Sequence, residues 1–335
     1  MEKNRRANAV MFGFDFQVNA AIILMLENIE DLESLRLEGN FEDIELKLEN
    51  NQYILAQAKS VEKSSSDFRN VRANLKKSVK TLSEASQKVD AQKLILITNS
   101  PNPLNEEASR SVFYGPAHRS FSSLPDSSQG IIKDCLDGIK QPLDLNKFQI
   151  QILPFETDDD VEKYKVVKQN VDDFVGKLNL NIPGLGKRLM NTWQNEIFHN
   201  GTKKNAAITR NKRDIIWPII VIATDVERCD DLLLDYFDQS QYDEIIHRYK
   251  SLIDSCCERC EFFIKVLHDY NEYKGMGKSL AQKCLDFALN KWEDYLPELK
   301  VDADPETQKG LIQIILYSIV RNRIQMQHIK EGVNL

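Results

Sequence analysis

The chain has 335 residues, enough for two domains of ordinary size or one domain with a large appendage. Hydrophobic residues make up 42%, charged residues 28%, and glycine and proline are scarce, which excludes a collagen-like, low-complexity or wholly disordered chain. A net charge of −7 excludes a uniformly basic nucleic-acid binder but leaves room for local basic patches.

The N-terminus imitates a secretory signal, with Lys3, Arg5 and Arg6 ahead of an apolar stretch over 18–26. Asp15, Gln17 and Asn19 interrupt that stretch, and Glu27-Asn28-Ile29-Glu30 offers no small-residue cleavage site. The longest apolar run, Ala20 to Leu26, is too short to span a membrane. The six cysteines form no disulfide framework, so a cytoplasmic protein is expected.

Residues 14–32 are apolar on nearly every side at helical spacing, which predicts a helix buried from more than one direction. Three strands are expected next, at 35–38, 41–48 and 52–59, with Glu49-Asn50-Asn51 as the turn between the last two. Ser64-Ser65-Ser66-Asp67 reads as the cap of an amphipathic helix reaching Val89, whose apolar face is Phe68, Val71, Leu75, Val79 and Leu82. The run Lys93 to Thr98 predicts a buried strand, ended by Asn99-Ser100-Pro101-Asn102-Pro103. Residues 104–147 read as irregular, with a Ser/Pro-rich loop over 120–129. A strand at 148–155, helices at 158–179 and 185–198, and a loop at 200–205 follow. From Gln241 one helical face runs to Leu267 over about seven turns. Two more helices, 280–296 and 306–327, complete the chain.

Charge is uneven. Residues 59–93 carry nine basic and four acidic side chains, and Lys187, Arg188, Lys203, Lys204, Arg210, Lys212 and Arg213 form a second basic region. Residues 214–262 hold twelve acids and four bases. This predicts a basic working domain over 1–210 and an acidic, mainly helical module over 211–335 that binds partners or drives assembly.

The segment 37–60 carries the chemistry. Alternation on a strand puts Gln57 and Lys59 on one face and Ala56 and Ala58 on the other. An amide and an amine beside a carboxylate from the neighbouring strand are the parts of a hydrolytic metal site. Asp43 would bind a divalent cation and Gln57 would give it a neutral oxygen. Lys59 would hold the attacking water and offset developing negative charge. An even hairpin loop sets Asp43 against Ala58, on the wrong face, whereas a three-residue loop sets it against Gln57. An odd loop or a bulge is therefore expected.

The order helix, three strands, helix, strand, with Asp43 and Gln57-x-Lys59, resembles the PD-(D/E)xK nuclease core in its glutamine variant. The fuller set of Gly13-Phe14-Asp15-Phe16-Gln17, Leu37-Glu38-Gly39, Glu42-Asp43-Ile44 and Gln57-Ala58-Lys59 resembles the CD-NTase-associated endonucleases of bacterial antiphage systems. It is most similar to the nuclease effector of Lamassu-like, three-component defence. The resemblance covers residues 10–100, extending toward 210. It implies a restriction-endonuclease-like α/β core and cleavage of double-stranded DNA with Mg²⁺ or Mn²⁺. It carries Asp43, Gln57 and Lys59 over as the catalytic set, with Glu38 and Gln17 at nearby motif positions. It also implies an SMC-like ATPase and an accessory subunit as partners, a homo-oligomeric active form, and restraint until activation. Gln57 stands where a carboxylate is usual, so one negative charge is missing at the metal. Members linked to nucleotide cyclases carry a sensor of alternating strands and helices, whereas this chain reads as helical after Gln241.

Each of these features also has a plainer reading. Asp43, Glu45 and Lys47 alone could be a solvated strand face. Gln17 could satisfy a backbone group, and Glu38 could be a polar strand end. Arg69, Arg72, Lys76 and Lys80 form a stripe about 90° round the helix from the apolar one, either a wet flank or a row of DNA-phosphate contacts. Cys256-Cys257-x-x-Cys260 falls on an apolar face, where sulfur packs as a small hydrophobe rather than holding zinc. Gly184-Leu185-Gly186-Lys187-Arg188 lacks the spacing of a phosphate loop and reads as a helix start. His118 and His199 show no partners for base catalysis. The alternatives to a nuclease effector are a non-catalytic scaffold that binds DNA or protein, and a nuclease gated directly by a cyclic oligonucleotide.

Overall fold

The computed structural model describes residues 7–156, 158–180, 182–223, 233, 235–237, 239–275, 279–299 and 301–334. The chain is a mixed α/β protein that divides into two compact units. The first holds residues up to Lys177, Gly186–Ile215 and Asn334; the second holds Leu178–Leu185, Ile216–Val333 and Leu335. The sequence-based boundary at 210/211 lies shortly before the break at 215/216.

The first unit is built on one seven-stranded sheet, in the order β5-β6-β4-β3-β2-β1-β7. Helix α1 (Ala7–Glu27) leads into the antiparallel meander β1 (Leu32–Leu37), β2 (Ile44–Leu48) and β3 (Tyr53–Lys59). Helix α2 (Val71–Ser86) then crosses to β4 (Ala91–Thr98), which lies parallel to β3. Strand β5 (Ala117–Ser120) and helix α3 (Asp126–Leu136) precede β6 (Phe148–Ile152), which runs parallel to β4 and antiparallel to β5. Helices α4 (Asp160–Lys163), α5 (Lys165–Lys177) and α6 (Leu185–Gly201) follow, and β7 (Arg210–Asn211) closes the far edge against β1.

Alternation along the central strands sorts the core. Leu55, Leu94, Leu96, Phe148, Ile150 and Ile152 share one core with Leu75, Val79 and Leu82 of α2 and Ile132 of α3. Ile54, Ala56, Ile95 and Ile97 are buried as well. Because β3 and β4 are covered on both faces, their sequences read as continuous apolar runs rather than alternating ones.

Helix α1 starts earlier and stops earlier than its periodicity suggests. The Asn28 side chain donates to the Leu24 carbonyl (2.7 Å) and accepts from Lys93, ending the helix before β1. Over Asn8–Glu27 the helix is long and apolar enough to cross a membrane, which corrects the reading from the short unbroken run. Here Phe16, Val18 and the run Ala20 to Met25 are buried in the protein. Helix α2 starts at Val71, not at the serines. The Ser64 and Ser65 hydroxyls and the Ser65 N–H all bind the Glu156 carboxylate at 2.6–2.9 Å, so they cap nothing.

The region read as irregular holds β5, a short 3-10 turn (Phe121–Ser123) and α3. Its Ser/Pro segment enters a helix because Phe121, Leu124 and Ile132 are buried together. Helix α7 (Lys212–Ala223) and β7 were not expected at all. Lys212, counted in the second basic region, is buried. Its ammonium binds the Glu49 carboxylate (3.0 Å) and the carbonyls of Glu30 and Asn334.

In the second unit, the expected seven-turn helix is two helices, α8 (Gln239–Glu258) and α9 (Cys260–Glu272), parted at Arg259, whose backbone is extended. Helix α10 (Leu280–Lys291) opens on a Ser279–Gln282 capping box and runs into a 3-10 turn through Pro297. Asp304 caps α11 (Pro305–Arg321), and α12 (Arg323–Val333) follows. Helix α11 is buried from Gly310 to Tyr317, so it is the centre of this unit's core. Cys256 and Cys284 are buried free thiols, while the side chains of Cys257 and Cys260 lie outside the described residues, as does Cys229.

Candidate active site

Two loops set the geometry. Between β2 and β3 the chain turns through three residues, Glu49, Asn50 and Asn51, with the Leu48 N–H bonded to the Gln52 carbonyl (2.8 Å) and Asn51 at φ +64°. The ladder pairs Ile44 with Ala56 and Glu45 with Leu55. One step further, the odd register sets Asp43 across from Gln57.

Between β1 and β2 the loop 38–43 is closed by the Glu38 N–H on the Asp43 carbonyl (2.8 Å) and the Gly39 N–H on the Glu42 carbonyl (3.2 Å). Glu38 itself sits at φ +51°. The Glu45 carboxylate reaches back into this loop and accepts from the Phe41 and Glu42 N–H groups. A side chain on Gly39 would run into that carboxylate, which explains the glycine.

Asp43, Gln57 and Lys59 meet. Asp43 Oδ2 accepts from the Ala58 N–H (3.0 Å) and from Gln57 Nε2, and lies 3.6 Å from Lys59 Nζ. Gln57 is 5% exposed, and its Oε1 accepts from the Thr81 hydroxyl on α2 (2.7 Å). The Lys59 side chain keeps 28% of its surface, so the site is open on that side.

Glu38 and Gln17 join from the next strand and from α1. Burial, then the charge of Asp43, pushes the Glu38 carboxyl up, while a hydrogen bond from Gln17 pulls it down. Gln17 Oε1 has no partner. Sequence reading missed Glu42. It is 7% exposed, and burial pushes its carboxyl up to about 7, against a Thr81 hydrogen bond and with the Asp43 charge adding to the rise. Its Oε1 also has no partner.

Glu38, Glu42 and Asp43 place three carboxyl groups within electrostatic reach of one ammonium, Lys59, a balance that favours a cation. Among the described residues no three His, Cys, Asp or Glu side chains form a ligand cluster. A cation here would draw on a mixed oxygen set of the Asp43 carboxylate, the Gln57 amide oxygen and water, which suits a hard ion such as Mg²⁺. Gln57 now turns its nitrogen to Asp43. To offer oxygen the amide must turn over, and the Thr81 hydroxyl, able to donate or accept, can serve either orientation.

The basic stripe of α2 is not gathered with this set. At about 100° per residue, Asn70 at the N-cap, Asn74, Lys77 and Thr81 share one flank, with Thr81 on Gln57, whereas Arg72, Lys76 and Lys80 lie roughly 100–180° from Thr81 and Arg69 precedes the helix. Arg69 is tied to Asp67 (2.7 Å), Arg72 reaches the Asn105 carbonyl (3.3 Å) and Lys80 faces Glu84 (3.9 Å). Lys76 and Lys80 line a separate hollow of about 420 Å³ beside Cys135 and Gly138. A groove of about 390 Å³ beginning at Ser60, the residue after Lys59, is lined by Ser60, Asp67, Asn70, Asn74 and Lys77.

The other candidates are accounted for. His118 contacts Gln149 (2.6 Å) and Glu27 (3.7 Å), and His199 stacks edge-on against Phe198. Gly184, at φ +74°, turns the chain into α6. Compared with family models, curated proteins and solved structures, the chain matches none.

Proposed function

We propose that the first unit is a metal-dependent endonuclease for double-stranded DNA, with a restriction-endonuclease-like core of the PD-(D/E)xK type in its glutamine variant. One observation carries the reading: the carboxylate of Asp43, the amide of Gln57 and the ammonium of Lys59 converge on one open strand end through an odd-length hairpin. Lys59 orients the attacking water and offsets negative charge on the phosphate oxygens. Water oxygen bonds to phosphorus, one phosphorus–oxygen ester bond breaks, and the released oxygen takes up a proton. Asp43 and Gln57 hold the cation. When bound, Mg²⁺ or Mn²⁺ polarises the phosphate and lowers the pKa of water.

In the same proposal the chain is the effector of a bacterial antiphage system of the Lamassu-like kind. An SMC-like ATPase and an accessory subunit restrain it and then activate it, and the active form is a homo-oligomer. The helical second unit is the docking module, and its described residues after Gln239 contain no strand of the kind a cyclic-oligonucleotide sensor implies.

The test is cleavage of supercoiled plasmid, by the chain alone and with its partner subunits, with Mg²⁺ and with chelator. We expect metal-dependent cutting that Lys59→Ala lowers about 10²–10³-fold. Unchanged cutting by that variant would remove the site. A second reading, a non-catalytic scaffold, draws on Gln57 Nε2 facing Asp43, which leaves the three side chains mutually satisfied. A scaffold would bind the plasmid without nicking it under any of these conditions.

A further inference from the structure

Gln57 leaves the site one carboxylate short, and the chain has another acid beside it. Glu42 lies next to Asp43 in the loop 38–43, which the Glu38 and Gly39 N–H groups hold shut. That closure turns the Glu42 side chain inward, leaving it 7% exposed. Its Oε1 has no hydrogen-bond partner at all. Thr81, whose hydroxyl is on Gln57 Oε1, also lies beside the Glu42 carboxyl, which the Asp43 N–H meets, so Glu42, Thr81, Gln57 and Asp43 are neighbours.

A buried carboxyl oxygen without a partner is costly, and folding alone gives no reason to keep it. Glu45, in β2 just after the loop, shows the contrast. It is equally buried, but its Oε1 takes the Phe41 and Glu42 N–H groups, and it holds the backbone. Glu45 is a structural acid. Glu42 is buried with its Oε1 unmet, and Lys59 is directed to Asp43.

We infer that Glu42 is a cation-binding residue of this site, supplying the carboxylate that Gln57 lacks. The inference rests on the metal-dependent reading above and adds a ligand to it.

Calorimetric titration of the full-length chain with Mn²⁺ tests it, with thermal melting of the same samples without metal. Glu42→Gln keeps the shape and removes the charge. We expect it to weaken Mn²⁺ binding roughly ten- to a hundredfold and to melt at or above the parent in the absence of metal. Glu45→Gln is the companion. It should lower the melting temperature and leave Mn²⁺ affinity unchanged. Equal Mn²⁺ affinity in the parent and Glu42→Gln would overturn the inference, whether or not DNA is cut, and so would a parent chain that binds no Mn²⁺. A parent that binds Mn²⁺ through Glu42 yet never cuts DNA would leave the inference standing and remove the nuclease reading.

Discussion

Thr81 anchors the inner end of the Gln57 amide from α2. Its hydroxyl binds Gln57 Oε1 at 2.7 Å, and Gln57 is nearly buried, so removing the hydroxyl leaves a buried oxygen unmet. Thr81→Val should cost about 1–3 kcal/mol of stability, read as a lower urea midpoint. As a positioning residue it should also cost about tenfold in the cleavage rate constant with little change in KM, and Thr81→Ser should restore both. Lost stability with cleavage intact well below the melting temperature would reduce Thr81 to packing. At this scale the sequence was partly legible. Asp43, Gln57 and Lys59 could be placed because strand alternation and one turn of countable length fix their faces. Glu42 and Thr81 could not. Glu42 points inward only because Glu38 adopts positive φ and Glu45 folds back on the loop. Thr81 is marked only by its distance from a strand that the helix sequence does not contain.

Helix α2 has two polar flanks beside its apolar face, and sequence alone cannot tell which one the active strand meets. Charge density favoured Arg69, Arg72, Lys76 and Lys80. In the structure Asn70, Asn74 and Lys77 line the groove, and Thr81, on the same flank, meets Gln57. Element existence was legible for α1, α2, β1 to β4 and β6, because burial of β3 and β4 and the period of α2 are strong signals. Element starts were less so. The serines before α2 look like a cap until the Glu156 carboxylate, far along the chain, takes their hydroxyls. Under the proposed DNA cleavage, Lys77, the lysine lining the groove, would meet the phosphates. In anisotropy measurements with DNA in Ca²⁺, Lys77→Ala should reduce the slope of log Kd against log salt by about 1, and Lys76→Ala should leave it unchanged. The reverse result would return the contact to the outer stripe.

The end of β1 that carries Glu38 is held by residues more than 160 positions later. Arg36 is 3% exposed, and its guanidinium donates to the carbonyls of Asn200 (2.6 Å), Lys203 (2.7 Å) and Ile208 (2.9 Å). The Asn200 side chain accepts from the Leu37 N–H (3.2 Å) and donates to the Ile208 carbonyl (2.7 Å). Backbone carbonyls do most of this holding, and every residue type has one, so residues 200–205 read only as a loop. The first unit is consequently discontinuous, and α6 and β7 belong to it although Leu178–Leu185 does not. Removing them would strip Arg36 of its acceptors and leave β1 an unpaired edge. A chain cut after Lys177 should therefore show no cooperative thermal transition by circular dichroism. Asn200→Ala in the full-length chain should unfold at lower denaturant, by about 2–4 kcal/mol. A fragment ending at Lys177 that melts sharply near the full-length temperature would show that the meander supports itself, and the anchoring role of α6 would be lost.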